Sequence, residues 1–313
     1  MKRKKLSFVM IFMMTVMSFE VHAQDNMPRL GIYINWDYEH AQRHENFYFY
    51  MFLENNIIEY FSNFVTKERS GVYTVDESSG VPFINILWDN NATERFLMLI
   101  AEDFLLFYNG DSTPIFFGLF YDSFSWNIRE GFGQVNKLER QSLIPREFQN
   151  VTASNSLIEG GINYSPTPGR LGLQINRAWA VRGGVGESLF GQAGWYYYYD
   201  GILNDQHLYI SIGYVAHSRP NLYFENSRPK KIRIYDINDR SIFHDFDLLD
   251  TPNFQLIDVS KFTRNPTRDR RSGDWERYSY HVSIRIEILE IYPGTRYNDT
   301  CINSILFLHG DYK

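Results

Sequence analysis

The stretch HVSIRIEI, His281 to Ile288, decides the fold. Val282, Ile284, Ile286 and Ile288 fall on one side of an extended chain and Ser283, Arg285 and Glu287 on the other. A helix cannot gather residues spaced by two onto one face, so this is a half-buried strand. Outward from it, Tyr280 to Ile291, Ile302 to Leu308, Phe254 to Val259, Lys231 to Tyr235, Leu208 to Tyr214 and Trp195 to Tyr199 have the aromatic and β-branched character of strands. Gly, Pro, Asn and Asp fill the gaps. The pattern predicts a sandwich of the jelly-roll type.

The upstream half is also β-rich. Phe47 to Leu53 and Ile57 to Phe61 read as a hairpin about Asn55-Asn56, although Ile57 to Val65 also fits a short helix. Gly71 to Asp76 and Val81 to Trp88 alternate, and Asp89-Asn90-Asn91 makes a turn. Arg95 to Ile100 and Phe104 to Tyr108 follow, closed by the strong turn signal Asn109-Gly110-Asp111. An antiparallel meander or small barrel is expected. Ser125 to Phe148 is a connector rich in Gly, Gln and Asn, with Pro145 at a boundary. The division is therefore a leader over 1–23, a β-rich unit with connector over 24–148, and the sandwich over 149–313. The fold class is all-β.

Composition agrees. Among 313 residues there are 25 Phe, 22 Tyr and 6 Trp, an aromatic share of 17% that favours strands. The 44% hydrophobic and 22% charged content belongs to a globular chain. A formal charge of -6 and a pI ≈ 5.8 exclude the basic footprint of a nucleic-acid binder.

Lys2, Arg3, Lys4 and Lys5 precede the apolar run from Leu6 to Phe19, and Val21-His22-Ala23 offers a cleavage site, so export after Ala23 is expected. The 14-residue run is shorter than the ~20 residues of a spanning helix, and no transmembrane segment is expected in the mature chain. Cleavage removes four basic groups and one acid, taking the charge from -6 to about -9. Cys301 is the only cysteine, which rules out an internal disulfide and a cysteine-based zinc site. Asn91, Asn150 and Asn298 open glycosylation patterns too short to carry weight.

Four segments form one ordered set: Ala153 to Pro166, Trp179 to Glu187, Leu208 to Asp236 and Ile284 to Phe307. Their specific parts are Gly184-x-Gly186-Glu187, the Gly213-Tyr214 pair, Asn226-x-Arg228-x-Lys230, and Gly294-x-x-Tyr297-x-Asp299-Thr300-Cys301-Ile302. In this order they resemble the NADase-type glycan-binding domain, a galactose-binding-like β-sandwich related to the discoidin modules. The resemblance implies a non-catalytic sugar-binding module that in toxins precedes a separate NAD-cleaving domain. Because this chain ends at Lys313, a few residues past the last predicted strand, no such domain is expected downstream. Two places depart from the family. Gln174 to Ala178 replaces an acidic-glycine turn, and Asn303-Ser304 replaces the Ser-Glu whose Glu helps hold a structural calcium in related modules. No metal or cofactor is assigned.

Sugar binding needs an aromatic face and planar polar groups. Tyr164, Trp179, Tyr223 and Tyr297 are candidates for the face, and Asn176, Arg182, Glu187, Asn221, Asn226, Arg228 and Asp299 for the polar contacts. Each also has an ordinary role open to it, as a core ring or a loop tie. Gly183 to Gly186 lacks the spacing of a phosphate loop. His40 and His44 lack a third metal ligand, His244, Asp245 and Asp247 read as a solvated turn, and Arg264, Arg268, Arg270 and Arg271 as a basic loop. The expected function is an exported, non-catalytic binder of a glycan or glycoconjugate. A structural or adhesion protein that has lost its ligand, and a glycosidase across the two halves, are the alternatives.

Overall fold

In the computed structural model the described residues are 27–28, 31–35, 49–62, 66–101, 104–111, 115–121, 148, 150–167, 171–197, 206–262, 267–269 and 277–309. The expected leader, His40 and His44, the connector short of Phe148, and Arg264, Arg270 and Arg271 lie outside them.

The N-terminal strands are β1 (Gly31–Asn35), β2 (Phe49–Leu53), β3 (Ile57–Phe61), β4 (Lys67–Asp76), β5 (Phe83–Trp88), β6 (Thr93–Ile100), β7 (Phe104–Tyr108) and β8 (Ile115–Tyr121). Each pairs with the next, and β8 pairs back with β1 to close a barrel. The turn between β2 and β3 holds Asn55 and Asn56 at φ 59 and 57, a region Asn tolerates better than most residues. Ile57 to Phe61 is thus a strand, and the helical alternative falls. Tyr50, Phe52, Ile58, Tyr73, Ile84, Trp88, Met98 and Phe107 fill the interior, as small barrels require. Every residue of β7 is buried. Phe104, Leu106 and Tyr108 point out of the barrel and into the other half of the molecule.

That half contains β9 (Asn150–Ala153), β10 (Ile158–Glu159), β11 (Ile162–Asn163), β12 (Trp179–Arg182), β13 (Ser188–Tyr197), β14 (Gln206–Ile212), the one-turn helix α1 (Leu222–Glu225), β15 (Arg228–Asp236), β16 (Phe243–Asp247), β17 (Gln255–Asp258), β18 (Thr267–Asp269), β19 (Arg277–Tyr292) and β20 (Asp299–His309). One sheet runs β12-β20-β14-β17 and faces a second that runs β16-β15-β19-β13-β9. Val282, Ile284, Ile286 and Ile288 of β19 meet Trp179, Val181, Ile210 and Ile302 from the opposite sheet. All are at most 2% exposed, and each such aliphatic side chain contributes roughly 1.5–3 kcal/mol. The predicted β-sandwich is the fold.

Three local readings are corrected. His244 to Asp247 is not a turn but part of edge strand β16, because Asp245 takes a two-pronged bond from Arg233 across the β15–β16 ladder and Arg233 lies 4.6 Å from the Phe243 ring centre. Thr267–Asp269, inside the expected basic loop, is a short strand on β19. Trp195 to Tyr199 overlaps only the far end of β13, which begins at Ser188.

The four-stranded sheet is buried on both faces. Tyr209 and Leu306 point from its outer face onto barrel residues Leu97, Leu99, Phe104 and Leu106, and Phe104 sits 5.2 Å from the rings of Tyr209 and Phe254. Hydrogen bonds cross the same junction. Phe254 N–H donates to the Ile100 carbonyl at 2.8 Å, the Asn253 side chain accepts from Ile100 N–H at 3.1 Å, and Tyr108 donates to the Leu173 carbonyl at 2.7 Å.

Candidate functional site

A cleft opens on the outer face of the four-stranded sheet, at the end away from Tyr209 and Leu306. Register explains its floor. Ala180 pairs with Cys301 and Arg182 with Asp299, and in a strand alternate residues share a face. Trp179 and Val181 therefore enter the core, while the small Ala180 and Cys301 leave a depression edged by Asp299. Leu157 N–H donates to the Ala180 carbonyl at 2.8 Å, and Tyr164 N–H donates to the Leu157 carbonyl at 2.9 Å. These bonds pin the β10–β11 hairpin to the edge of β12 and stand Tyr164 beside the depression.

The opposite wall is tied to α1. The N–H groups of Arg296 and Tyr297 donate to the Glu225 carbonyl at 3.1 and 2.8 Å, and Thr295 N–H to that of Phe224 at 3.0 Å. Tyr297 is thereby brought to the cleft opposite the hairpin. Two compartments result. The first, a cavity of about 130 Å³, is lined by Glu159, Tyr164, Tyr214, Arg219, Asn226, Tyr297 and Asp299 over Leu157, Ala180, Leu222 and Cys301. The second, about 400 Å³, shares Tyr164, Tyr214 and Arg219 and adds Ile162, Asn176 and Arg177. Tyr164 and Tyr214 meet edge to face at 6.3 Å.

Burial in this wall raises the Asp299 carboxyl above the ordinary carboxylate range, the nearby Glu159 adds to the rise, and Arg182 opposes it. Burial also pushes the Cys301 thiol far above its usual value, so it is no nucleophile here.

Of the eleven expected ligand residues, Tyr164, Asn176, Asn226, Tyr297 and Asp299 line the cleft, although Asn226 is 7% exposed and donates one amide N–H to the Leu222 carbonyl at 2.9 Å, which leaves chiefly its side-chain oxygen to offer. Arg182 is exposed beside Asp299. Glu187 accepts a bond from Ser154, and Asn221 begins α1, its carbonyl accepting from Phe224 and Glu225. The remaining three are corrected. Trp179 and Tyr223 are both 0% exposed and cannot offer a ring to a ligand. Trp179 donates its indole N–H to the Asn155 carbonyl at 3.1 Å. Arg228, 4% exposed, is spent on Asp250 and on the carbonyls of Tyr223 and Asn226.

Glu159, Arg177, Tyr214 and Arg219 complete the cleft without having been singled out as ligands. Glu159, Tyr214 and Arg219 stand inside the quoted segments, but only the hairpin register and the 213–221 loop bring them together.

Two of the motif glycines, Gly184 and Gly213, serve packing. Gly184 has φ +89, and a Cβ there would lie 2.3 Å from the Thr300 hydroxyl. Gly213 has φ +85, and a Cβ there would strike the Tyr223 ring at 2.6 Å. Neither position tolerates a side chain.

The family model described as the NAD glycohydrolase translocation F5/8 type C domain matches residues 146–308, more than half of the chain. The chain belongs to this family. F5/8 type C domains bind carbohydrates or proteins, and the translocation domain is the part associated with an NADase that is not catalytic. Neither the curated proteins nor the solved structures contain a match. The Glu that helps to hold a structural calcium in related discoidin-like modules is replaced in the translocation domain of this chain, and the side-chain oxygen of Asn303 is buried without a hydrogen-bond partner. Where the resemblance implies Ser-Glu, Ser304 donates to the Gly172 carbonyl at 2.6 Å and Asn303 to the Ser211 hydroxyl at 3.2 Å. Among the described residues no three His, Cys, Asp or Glu side chains are grouped to hold a metal ion.

Proposed function

We propose that the chain is an exported, non-catalytic glycan-binding protein and that the cleft between Tyr164 and Tyr297 receives the sugar. The carrying observation is the composition of the cleft. Tyrosine walls supply the apolar faces that sugar rings pack against, and Asp299, Glu159, Asn226 and Arg219 supply planar acceptors and donors within one small depression. The Asp299 carboxylate has no hydrogen-bond partner among the described residues, so an acceptor stands ready for a hydroxyl. The test is a glycan array followed by calorimetry on the mature chain. Tyr164→Ala and Tyr297→Ala should each weaken binding about tenfold, near 1.4 kcal/mol, with the thermal midpoint little changed. A folded protein that binds no sugar would refute the proposal.

The family description favours a second reading, in which the same cleft engages a protein during translocation of an NAD glycohydrolase. Under that reading, partner capture persists after enzymatic removal of all glycans from the partner; under the first, it is lost.

A further inference from the structure

The two compartments differ in charge. The first carries the carboxylates of Asp299 and Glu159 with Arg219 on the wall it shares with the second; in the second, the only formally charged lining groups are the guanidinium groups of Arg177 and Arg219. Elsewhere Arg69, Arg95, Arg228, Arg233, Arg285 and Arg296 each meet a carboxylate, whereas Arg182 and Arg240, both outside the second compartment, make no ion pair among the described residues. Arg177 and Arg219 meet none among the described residues. Both guanidinium groups are exposed at the second compartment, where no carboxylate of the described residues claims either of them.

Both arginines nevertheless stand on braced backbone. Arg177 follows Asn176, which takes φ 60, donates its N–H to the Val215 carbonyl at 2.7 Å and accepts the Tyr214 hydroxyl at 3.1 Å. Arg219 follows His217 and Ser218, whose N–H groups donate to the Asp111 carboxylate at 2.6 and 3.3 Å, with the Ser218 hydroxyl donating to the same group. Planar guanidinium forks match a planar carboxylate, with two parallel N–H···O bonds available from each.

We infer that the ligand is an acidic sugar, a sialic or uronic acid unit, whose carboxylate is held by Arg177 and Arg219. The ring lies against Tyr164 and Tyr214, and its hydroxyls reach Asp299 and Asn226. The opposite orientation places the ligand's negative charge against Asp299 and Glu159 and is disfavoured by repulsion. This inference rests on the sugar-binding reading of the same cleft.

The experiment is an array of neutral and acidic glycans on the mature chain, then calorimetry with 3′-sialyllactose against lactose and with methyl glucuronide against methyl glucoside. The charged member of at least one pair should bind at least tenfold more tightly, and the difference should shrink in 0.5 M salt as screening grows. Arg177→Gln should remove most of the difference and leave neutral-sugar binding nearly unchanged, whereas Arg219→Gln should remove most of the difference and also weaken neutral sugars, because Arg219 lines both compartments. Both side chains are exposed, so the variants are expected to fold, which circular dichroism checks. Array hits confined to neutral sugars, or a charge preference that survives both substitutions together, would overturn the inference and leave the sugar-binding reading standing. An array with no hits overturns both.

Discussion

Asp299 is an acid in a poor place for an acid. It opens β20 at the rim of the cleft, with burial and Glu159 both raising its pKa. A carboxyl raised in the folded state keeps its proton to higher pH than in the unfolded chain. Its contribution to stability is therefore fully present below the unfolded value of 3.8 and is lost as pH rises through the folded value. At neutral pH the ionised group is a net cost. Asp299→Asn should raise the melting temperature at pH 7 by about 1–2 °C, have no such effect at pH 3, and weaken sugar binding about tenfold by exchanging an anionic acceptor for an amide. Paired melting curves and calorimetry at the two pH values check it; a variant that is less stable at pH 7 would show that the carboxylate holds the fold rather than the ligand. A destabilising group kept for its use is the usual mark of a site.

At the level of elements, the decisive unit is the joint between α1 and the β14–β20 end of its sheet. Arg228 donates through Nε and Nη2 to Asp250 at 2.7 and 2.9 Å, through Nη1 to the Asn226 and Tyr223 carbonyls, and Tyr223 donates to Asp250 at 3.0 Å. This network fixes the segment that supports Tyr297. Asp250→Ala leaves a buried guanidinium without its counter-ion and should cost about 3 kcal/mol by chemical denaturation, whereas Tyr223→Phe, which leaves the ion pair intact, should cost about 1 kcal/mol. A near-neutral Asp250→Ala would remove the network from this role. The joint also shows what the sequence can and cannot reveal. The alternation of Val282, Ile284, Ile286 and Ile288 imposes a strand because period 2 is a local property, and β19 was legible from it. Arg228 and Asp250 stand 22 positions apart, and nothing local says that they meet. Trp179 looked like a sugar platform because a ring in a motif carries no sign of which face of its strand is inward; its register with Ile302 decides that. Strands β9 to β12 escaped notice because runs of two to four residues are too short to display a period. The run Phe104 to Tyr108 was read as a strand, yet its unbroken apolarity also signalled burial on both faces.

For the whole molecule, the barrel reaches the cleft through Asp111. This carboxylate sits after β7 and receives the His217 and Ser218 amides, one residue before Arg219. Asp111→Ala should weaken binding of the sugar that the array selects about tenfold, near 1.4 kcal/mol, although residue 111 lines neither compartment. Combined with Arg219→Gln it should add nothing, since both changes remove one contribution; additive losses would place Asp111 outside this path. The four-stranded sheet has a further consequence. Its inner face belongs to the sandwich and the Tyr209–Leu306 end of its outer face to the barrel, so Tyr209, Phe254 and Leu306 are covered only while both halves are present. The family domain cut out at its sequence borders would carry a bare apolar wall, and a graft of that module onto another protein would need a substitute cover before it could stay in solution.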